Sequence, residues 1–179
     1  MNRHAHRLQQ VLGTIAITFA AACVPSLAAA ADEPQPTTRV RSEHPTIARL
    51  ITEATERSAT FRGEVAAIND TDGLVYVHDG QCGRGVRGCL QHTVELAGPY
   101  RLLRILVDLR GSDAELMALI GHELRHALEV LSDPRIRTDN AISWLYRQVP
   151  SAATFAFETE AAQQAGWAVR AELRAYAKH

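Results

Sequence analysis

The chain has 179 residues, 46% of them hydrophobic, and a formal net charge of −1. This length is sufficient for one domain with a real hydrophobic core. The balanced charge excludes the basic surplus that is typical of nucleic-acid-binding proteins, so we expect no nucleic-acid partner.

The first segment, residues 1–31, has the pattern of a signal peptide. Arg3 and Arg7 give it a positive start, and an apolar stretch from Val11 to Val24 follows. That stretch is too short to span a bilayer comfortably, and small residues in an Ala-x-Ala pattern come after it. We therefore predict cleavage, export to the periplasm or the medium, and no membrane span afterwards. The alternatives are a retained anchor and a lipoprotein signal with Cys23 as the lipidated residue.

The remaining chain is predicted to be a loose tail, residues 32–45, and a single domain, residues 46–179. Three prolines and many polar residues characterise the tail. Apolar residues at helical spacing predict a helix over Thr46–Phe61. Two short strands, Val65–Ile68 and Leu74–His78, are predicted on either side of a turn-rich segment.

Cys82 and Cys89 enclose a short glycine-rich loop. In an exported protein two such cysteines most often form a disulfide, and the loop length suits a hairpin tip. Zinc binding by the pair is the alternative, although the two-residue gap of a zinc knuckle is absent.

Two further strands, Gln91–Leu96 and Leu102–Leu109, are predicted before the most strongly patterned helix of the chain. That helix should begin after Ser112, which forms a capping-box sequence with Glu115, and it should end before Pro134. Apolar residues at helical spacing place it over Asp113–Leu131. After it, a short helix over residues 141–147 and a long one over residues 155–176 complete the predicted elements.

The long predicted helix carries the sequence His122-Glu123-Leu124-Arg125-His126. Residues four apart on a helix lie nearly one above the other, so His122 and His126 can bind one metal ion through their imidazoles. Glu123 is placed to contact a metal-bound water and to take a proton from it. This is the arrangement of a zinc hydrolase.

A third protein ligand is expected, because catalytic zinc usually has three and keeps one position for water. Glu158 and Glu160 are the two candidates downstream. The His-Glu-x-x-His motif with a later Glu resembles the gluzincin branch of the zincin metallopeptidases. In that branch the ligand Glu is followed three residues later by Ala or Ser, which favours Glu158, since Ala161 holds that position. Glu160 stays open as the alternative.

This resemblance covers the two ligand-bearing helices and implies an α+β, minimal zincin-like domain. A small mixed sheet would pack on the active-site helix, with the third-ligand helix opposite. A substrate peptide would add to an exposed sheet edge, either Leu74–His78 or the strand after the cysteine loop. The chain departs from the family at Ala162, where gluzincins often have an Asp that orients a metal-bound His. Asp133, Asp139 or a backbone carbonyl is expected to replace it.

The function implied by the resemblance is peptide-bond hydrolysis with Zn²⁺ as cofactor and Glu123 as general base. The substrate would be a peptide or a protein. Tyr146 and His78 are the candidate oxyanion donors. Two alternatives remain: a catalytically inactive zinc-binding or partner-binding module of the cell envelope, and a metal-free domain.

Overall fold

The fold is built on a five-stranded mixed sheet in a computed structural model that describes residues 38–83, 85–148 and 158–178. The strands are β1 (Val40–Arg41), β2 (Gly73–Asp79), β3 (Gly88–Leu90), β4 (Glu95–Ala97) and β5 (Tyr100–Val107). Their order is β1-β2-β5-β3, and β4 also pairs with β5. The three strands β1, β2 and β5 run parallel, whereas β3 and β4 run antiparallel to β5.

Five helices accompany the sheet in the described part of the chain. They are α1 (Pro45–Arg57), α2 (Ala59–Asn69), α3 (Asp113–Leu131), α4 (Asp139–Gln148) and α5 (Glu160–Tyr176). The helix α3 packs against β3 and β5 of the sheet and against α5, so it is central to the domain. The predicted α+β fold class, with a small mixed sheet on a central helix, is confirmed.

The bounds of α3 agree with the prediction because its end signals are local. The Ser112 side chain accepts a hydrogen bond from the Glu115 N–H, and the Glu115 side chain accepts one from the Ser112 N–H. This capping box satisfies two of the N–H groups that a helix start leaves unpaired. Apolar side chains such as Ile120 and Leu124 are fully buried against the rest of the core.

The predictions for the N-terminal half were partly wrong. The helix predicted over Thr46–Phe61 is interrupted at Ser58, whose hydroxyl accepts from the Phe61 N–H and starts a new helix. The strand predicted over Val65–Ile68 is therefore part of α2. Its apolar residues repeat at intervals of three and four along α2, which is helical spacing, and a four-residue window is too short to show it.

The bounds of several other strands and helices also differ from the prediction. Within Gln91–Leu96, only the last two residues are in a strand, β4, whereas β3 begins earlier, at Gly88 inside the cysteine loop. Residues 40 and 41, predicted as part of a loose tail, form β1 because they pair with β2. The helix α5 begins at Glu160, after its N-cap Thr159, so the prediction that residues 158 and 159 are helical was wrong, whereas residues 155–157 lie outside the described residues.

The predicted signal peptide, residues 1–31, also lies outside the described residues. Among the helices that the structure does describe, none is both long and apolar enough to cross a membrane.

Candidate metal centre

Two imidazoles one turn apart on α3 form the floor of the site. The rings of His122 and His126 are nearly perpendicular, with centroids 4.9 Å apart. His126 is buried and His122 is half-buried. Both Nε2 atoms are directed toward the chain segment that precedes α5, so two nitrogen lone pairs can act on one point.

Glu158 supplies the third group from the residue immediately before the N-cap of α5. Its Oε1 lies 3.4 Å from the His122 Nε2 and 3.8 Å from the His126 Nε2. One ligand atom from each of the three residues lies within 4.8 Å of the others. Ligands of a tetrahedral zinc are about 3.3 Å apart when the bonds are of ordinary length. The three side chains could therefore hold a metal ion with little adjustment.

The Glu158 Oε1 is the atom that best tests whether a cation fits. It is buried and has no hydrogen-bond partner among the residues that the structure describes. Burial raises the pKa of the Glu158 carboxyl above its ordinary value, although nearby His126 opposes the shift. A buried acceptor without a donor is costly, and a cation between the carboxylate and the imidazoles would remove that cost.

Glu160, the alternative ligand, lies outside the cluster. It is exposed on the first turn of α5, and its Oε1 accepts a hydrogen bond from the Gln164 Nε2 at 2.8 Å. The structure therefore brings Glu158, and not Glu160, to the two imidazoles.

Glu123 lies beside the cluster without joining it. Its side chain is buried, with Oε1 4.0 Å from the His122 Nε2 and Oε2 accepting the Leu90 N–H at 2.8 Å. Burial raises the pKa of Glu123 to about 7, although nearby His126 and the Leu90 N–H favour the charged form. A carboxyl with that pKa can both accept and return a proton near neutral pH.

The two imidazoles differ in their electrostatic surroundings. Burial, followed by the neighbouring His126, lowers the pKa of His122 to about 4, so its imidazole is neutral at pH 7. Burial also acts to lower the pKa of His126, but the hydrogen bond to Glu129 and the carboxylates around it outweigh burial and raise it. A neutral imidazole offers the lone pair that a metal requires.

Glu129 is a member of the site that sequence reasoning missed. Its Oε2 lies 3.0 Å from the His126 Nδ1, on the ring edge opposite the Nε2. The residues predicted for this role are engaged elsewhere: Asp133 binds Arg135, and Asp139 accepts the Val94 N–H. The signal was the spacing, because residues three apart on a helix are neighbours. At the other imidazole, the backbone of Ala162 acts to raise the pKa of His122, against the larger effect of burial.

A cleft of about 500 Å³ opens above these groups. One wall is the loop closed by Cys82 and Cys89, whose predicted disulfide is confirmed with a Cα–Cα distance of 5.9 Å. Val86 and Leu90 add apolar surface to that wall, and α4 contributes Tyr146 on the other side. The site is therefore a cleft in which polar groups converge beside a partly apolar wall, as in many ligand sites.

Of the two predicted oxyanion donors, only Tyr146 lines the cleft. Its hydroxyl donates to the His126 carbonyl oxygen at 3.3 Å. His78 lies on β2 and does not line the cleft, so its prediction was wrong. His92 lines the cleft instead, with its ring stacked on Tyr146 at 5.2 Å. The position of His92 in a predicted strand had left open that it lines the cleft, and burial lowers its pKa.

Comparison of the chain with protein-family models, curated proteins and solved structures finds no match. What the site does must therefore be inferred from its own residues.

Proposed function

We propose that this protein is an exported zinc-dependent metallopeptidase of the gluzincin type. The observation that supports it best is the convergence of His122, His126 and Glu158 on one point, with a buried Glu158 oxygen that has no donor among the described residues. Glu123, a carboxyl with a pKa near neutrality, lies beside that point. A purely structural zinc site has no use for such a base.

The donor set favours zinc over calcium and magnesium. Two imidazole nitrogens and one carboxylate oxygen form the ligand set of thermolysin-like zinc sites, with one position left for water or substrate. Calcium and magnesium prefer sites made of oxygen ligands alone, which this cluster does not provide.

Zinc, when bound, would lower the pKa of its water and polarise the substrate carbonyl. Glu123 accepts the proton of the attacking water and returns it to the leaving amine. The Leu90 N–H holds one carboxylate oxygen of Glu123, which leaves the other directed toward His122. Because the carboxyl is buried, its proton affinity suits both transfers.

The strand β3 is the surface on which we propose that a peptide substrate binds. It pairs with β5 on one side and borders the cleft, whereas β2 lies between β1 and β5 and cannot serve as the edge. An extended peptide can add to such an edge through its main chain. Gly88 allows the close approach of β3 to α3, because a Cβ there would lie 2.7 Å from the Leu119 Cδ1 and 3.1 Å from the Glu123 Oε1.

Export is supported by the disulfide. Disulfides persist in oxidising compartments and are rare in the cytosol, so the Cys82–Cys89 bond fits a periplasmic or secreted protein. The signal peptide of residues 1–31 remains a prediction from the sequence.

The substitution Glu123→Gln tests the proposed mechanism. The variant should bind zinc as wild type does and should lose at least about 100-fold in hydrolysis of a fluorogenic peptide library, because the amide cannot accept the proton. Glu160→Gln, an exposed carboxylate outside the cluster, is the matched control and should leave both measurements unchanged. Loss of zinc together with activity in Glu123→Gln would assign Glu123 a structural role instead.

The second candidate is a zinc-binding module without peptidase activity. It is favoured by one observation, that the Tyr146 hydroxyl, a candidate oxyanion donor, already donates to the His126 carbonyl oxygen. Under this alternative the wild type binds zinc but cleaves no member of the peptide library.

A further inference from the structure

The hydroxyl of Thr159 makes two hydrogen bonds of different kinds. As the N-cap of α5, its Oγ1 accepts from the Ala162 N–H at 3.1 Å. The same oxygen donates to the Glu129 Oε1 at 2.6 Å. A cap requires only an acceptor, so the donated bond is an additional link between α5 and α3.

Glu129 carries this link to the metal cluster. One of its oxygens accepts from Thr159, and the other lies 3.0 Å from the His126 Nδ1. A carboxylate at Nδ1 favours the tautomer that has its proton there, so the lone pair is on Nε2. The His126 Nε2 is the atom that faces the Glu158 carboxylate.

The same turn of α5 also contacts the other imidazole. The backbone of Ala162 acts to raise the pKa of His122. One turn later, a Cβ at Gly166 would lie 3.2 Å from the His122 Cβ, so the two helices approach too closely there for a larger residue without a shift. Glu158 itself immediately precedes Thr159 in the chain.

We propose that Thr159 and Glu129 are positioning residues of the metal centre. The start of α5 fixes the orientation of two candidate ligands: Glu158, which immediately precedes the N-cap, and His126, through Thr159 and Glu129. The close approach of α5 at Gly166 restricts the space around His122. Glu129 thus supplies the carboxylate that gluzincins often have at the position of Ala162 to orient a metal-bound His. This inference rests on the proposed function for its metal but not for its effect on the imidazole.

The test compares Thr159→Ser, Thr159→Val and Glu129→Ala with the wild type. Thr159→Ser keeps the hydroxyl and is the matched control, whereas Thr159→Val keeps the shape and loses both hydrogen bonds. Glu129→Ala leaves the cap of α5 intact, so it separates the link from helix stability. Circular dichroism of each variant establishes that it is folded.

Two measurements are made on each folded variant. In the metal-free protein at about pH 8, above the ordinary imidazole pKa, ¹⁵N NMR reports the tautomer of His126. The wild type and Thr159→Ser should show the proton on Nδ1, whereas Glu129→Ala should show a mixture. Zinc affinity, measured by competition with a chromophoric chelator, should fall about 10- to 100-fold in Glu129→Ala and less in Thr159→Val.

The two proposals fail in different ways. An unchanged tautomer and unchanged zinc affinity in Glu129→Ala would overturn the positioning role. A wild type with the proton on Nδ1 that binds no zinc would support the positioning of His126 and contradict the metallopeptidase.

Discussion

Two polar clusters lie along α3, and they differ in whether their hydrogen bonds are complete. At the C-terminal end of the helix, Arg101 is only 1% exposed. The hydrogen bonds described for its guanidinium go to carbonyl and carboxylate oxygens. In the middle of the helix, the cluster of His122, His126 and Glu158 contains a buried oxygen without a hydrogen-bond partner in the part of the chain that the structure describes. The first cluster is complete without a ligand, and the second is not.

Arg101 binds the end of α3 as a substitute cap. Its Nη1 donates to the carbonyl oxygens of Val130 and Asp133, and its Nη2 donates to that of Leu131 at 2.8 Å. The Asp72 carboxylate accepts from Nε and Nη2 and balances the charge. Helices leave their last carbonyl groups unpaired, so this arginine satisfies acceptors that would otherwise be buried without donors.

The difference separates groups that stabilise from groups that are available to bind. A buried cluster whose hydrogen bonds are all formed stabilises the folded state. Removing one member destabilises that state, because the other members stay buried without a partner. An incomplete cluster is a cost in the folded state that a ligand can remove, and binding sites often carry such a cost. Variants of the two clusters should therefore differ in how much they change the free energy of unfolding.

Arg101→Met should have the largest effect on stability. It leaves the buried carbonyl groups at the end of α3 without a donor and Asp72 without its principal partner. We expect the free energy of unfolding to fall by about 3–5 kcal/mol, measured by urea denaturation. Arg104→Met is the matched control on the same strand, because Arg104 pairs with the exposed Glu95 and should matter little. Equal effects of the two substitutions would remove the contrast.

Glu64 lies between these two cases: it is a buried acid outside the metal cluster, and its Oε2 has no hydrogen-bond partner within residues 38–83, 85–148 and 158–178. Burial raises its pKa to about 8, with Arg125 acting against the shift and Glu172 with it. Between the unfolded pKa of about 4.5 and the folded value, the folded state holds a proton that the unfolded state has released. The stabilisation of the folded state by the protonated Glu64 carboxyl is therefore full below about pH 4.5, and it is lost as the pH rises through about 8.

Glu64→Gln should remove this dependence. The free energy of unfolding of the wild type should fall with pH across that window, with Glu64 contributing a slope of about 1.4 kcal/mol per pH unit. The variant should show a flatter profile in urea denaturation at several pH values. Parallel profiles would mean that the carboxyl has an ordinary pKa.

Glu158→Gln should have the smallest effect on the stability of the metal-free protein. The substitution removes a carboxylate whose Oε1 has no donor among the residues described, so the free energy of unfolding in the presence of a chelator should stay within about 1 kcal/mol of the wild type. A loss as large as that of Arg101→Met would show that the site is already a completed cluster without an ion.

The sequence predicted the parts of the structure that depend on local signals. The bounds of α3 follow from Ser112, Glu115 and the apolar spacing, and the pairing of Cys82 with Cys89 follows from a short loop between them. The proximity of Glu158 to the imidazoles was expected from a resemblance to gluzincins, because no local rule connects residues more than thirty positions apart.

The remaining features depend on tertiary contacts. Ser58 interrupts the first helix in part because Glu172, far along the chain, accepts hydrogen bonds from its hydroxyl and from Thr60. The link between Thr159 and Glu129 requires the packing of α5 on α3, which spacing alone does not reveal. The expectation that His78 faces the cleft failed because strand register decides which face a side chain takes.

The most direct test of the central claim is zinc content, measured by elemental analysis and titration on purified wild type, Glu158→Ala and Glu160→Ala. We expect one zinc per chain in the wild type and in Glu160→Ala. Zinc affinity should fall at least about tenfold in Glu158→Ala, because one of three protein ligands is gone. Equally tight zinc binding by Glu158→Ala and the wild type would contradict it.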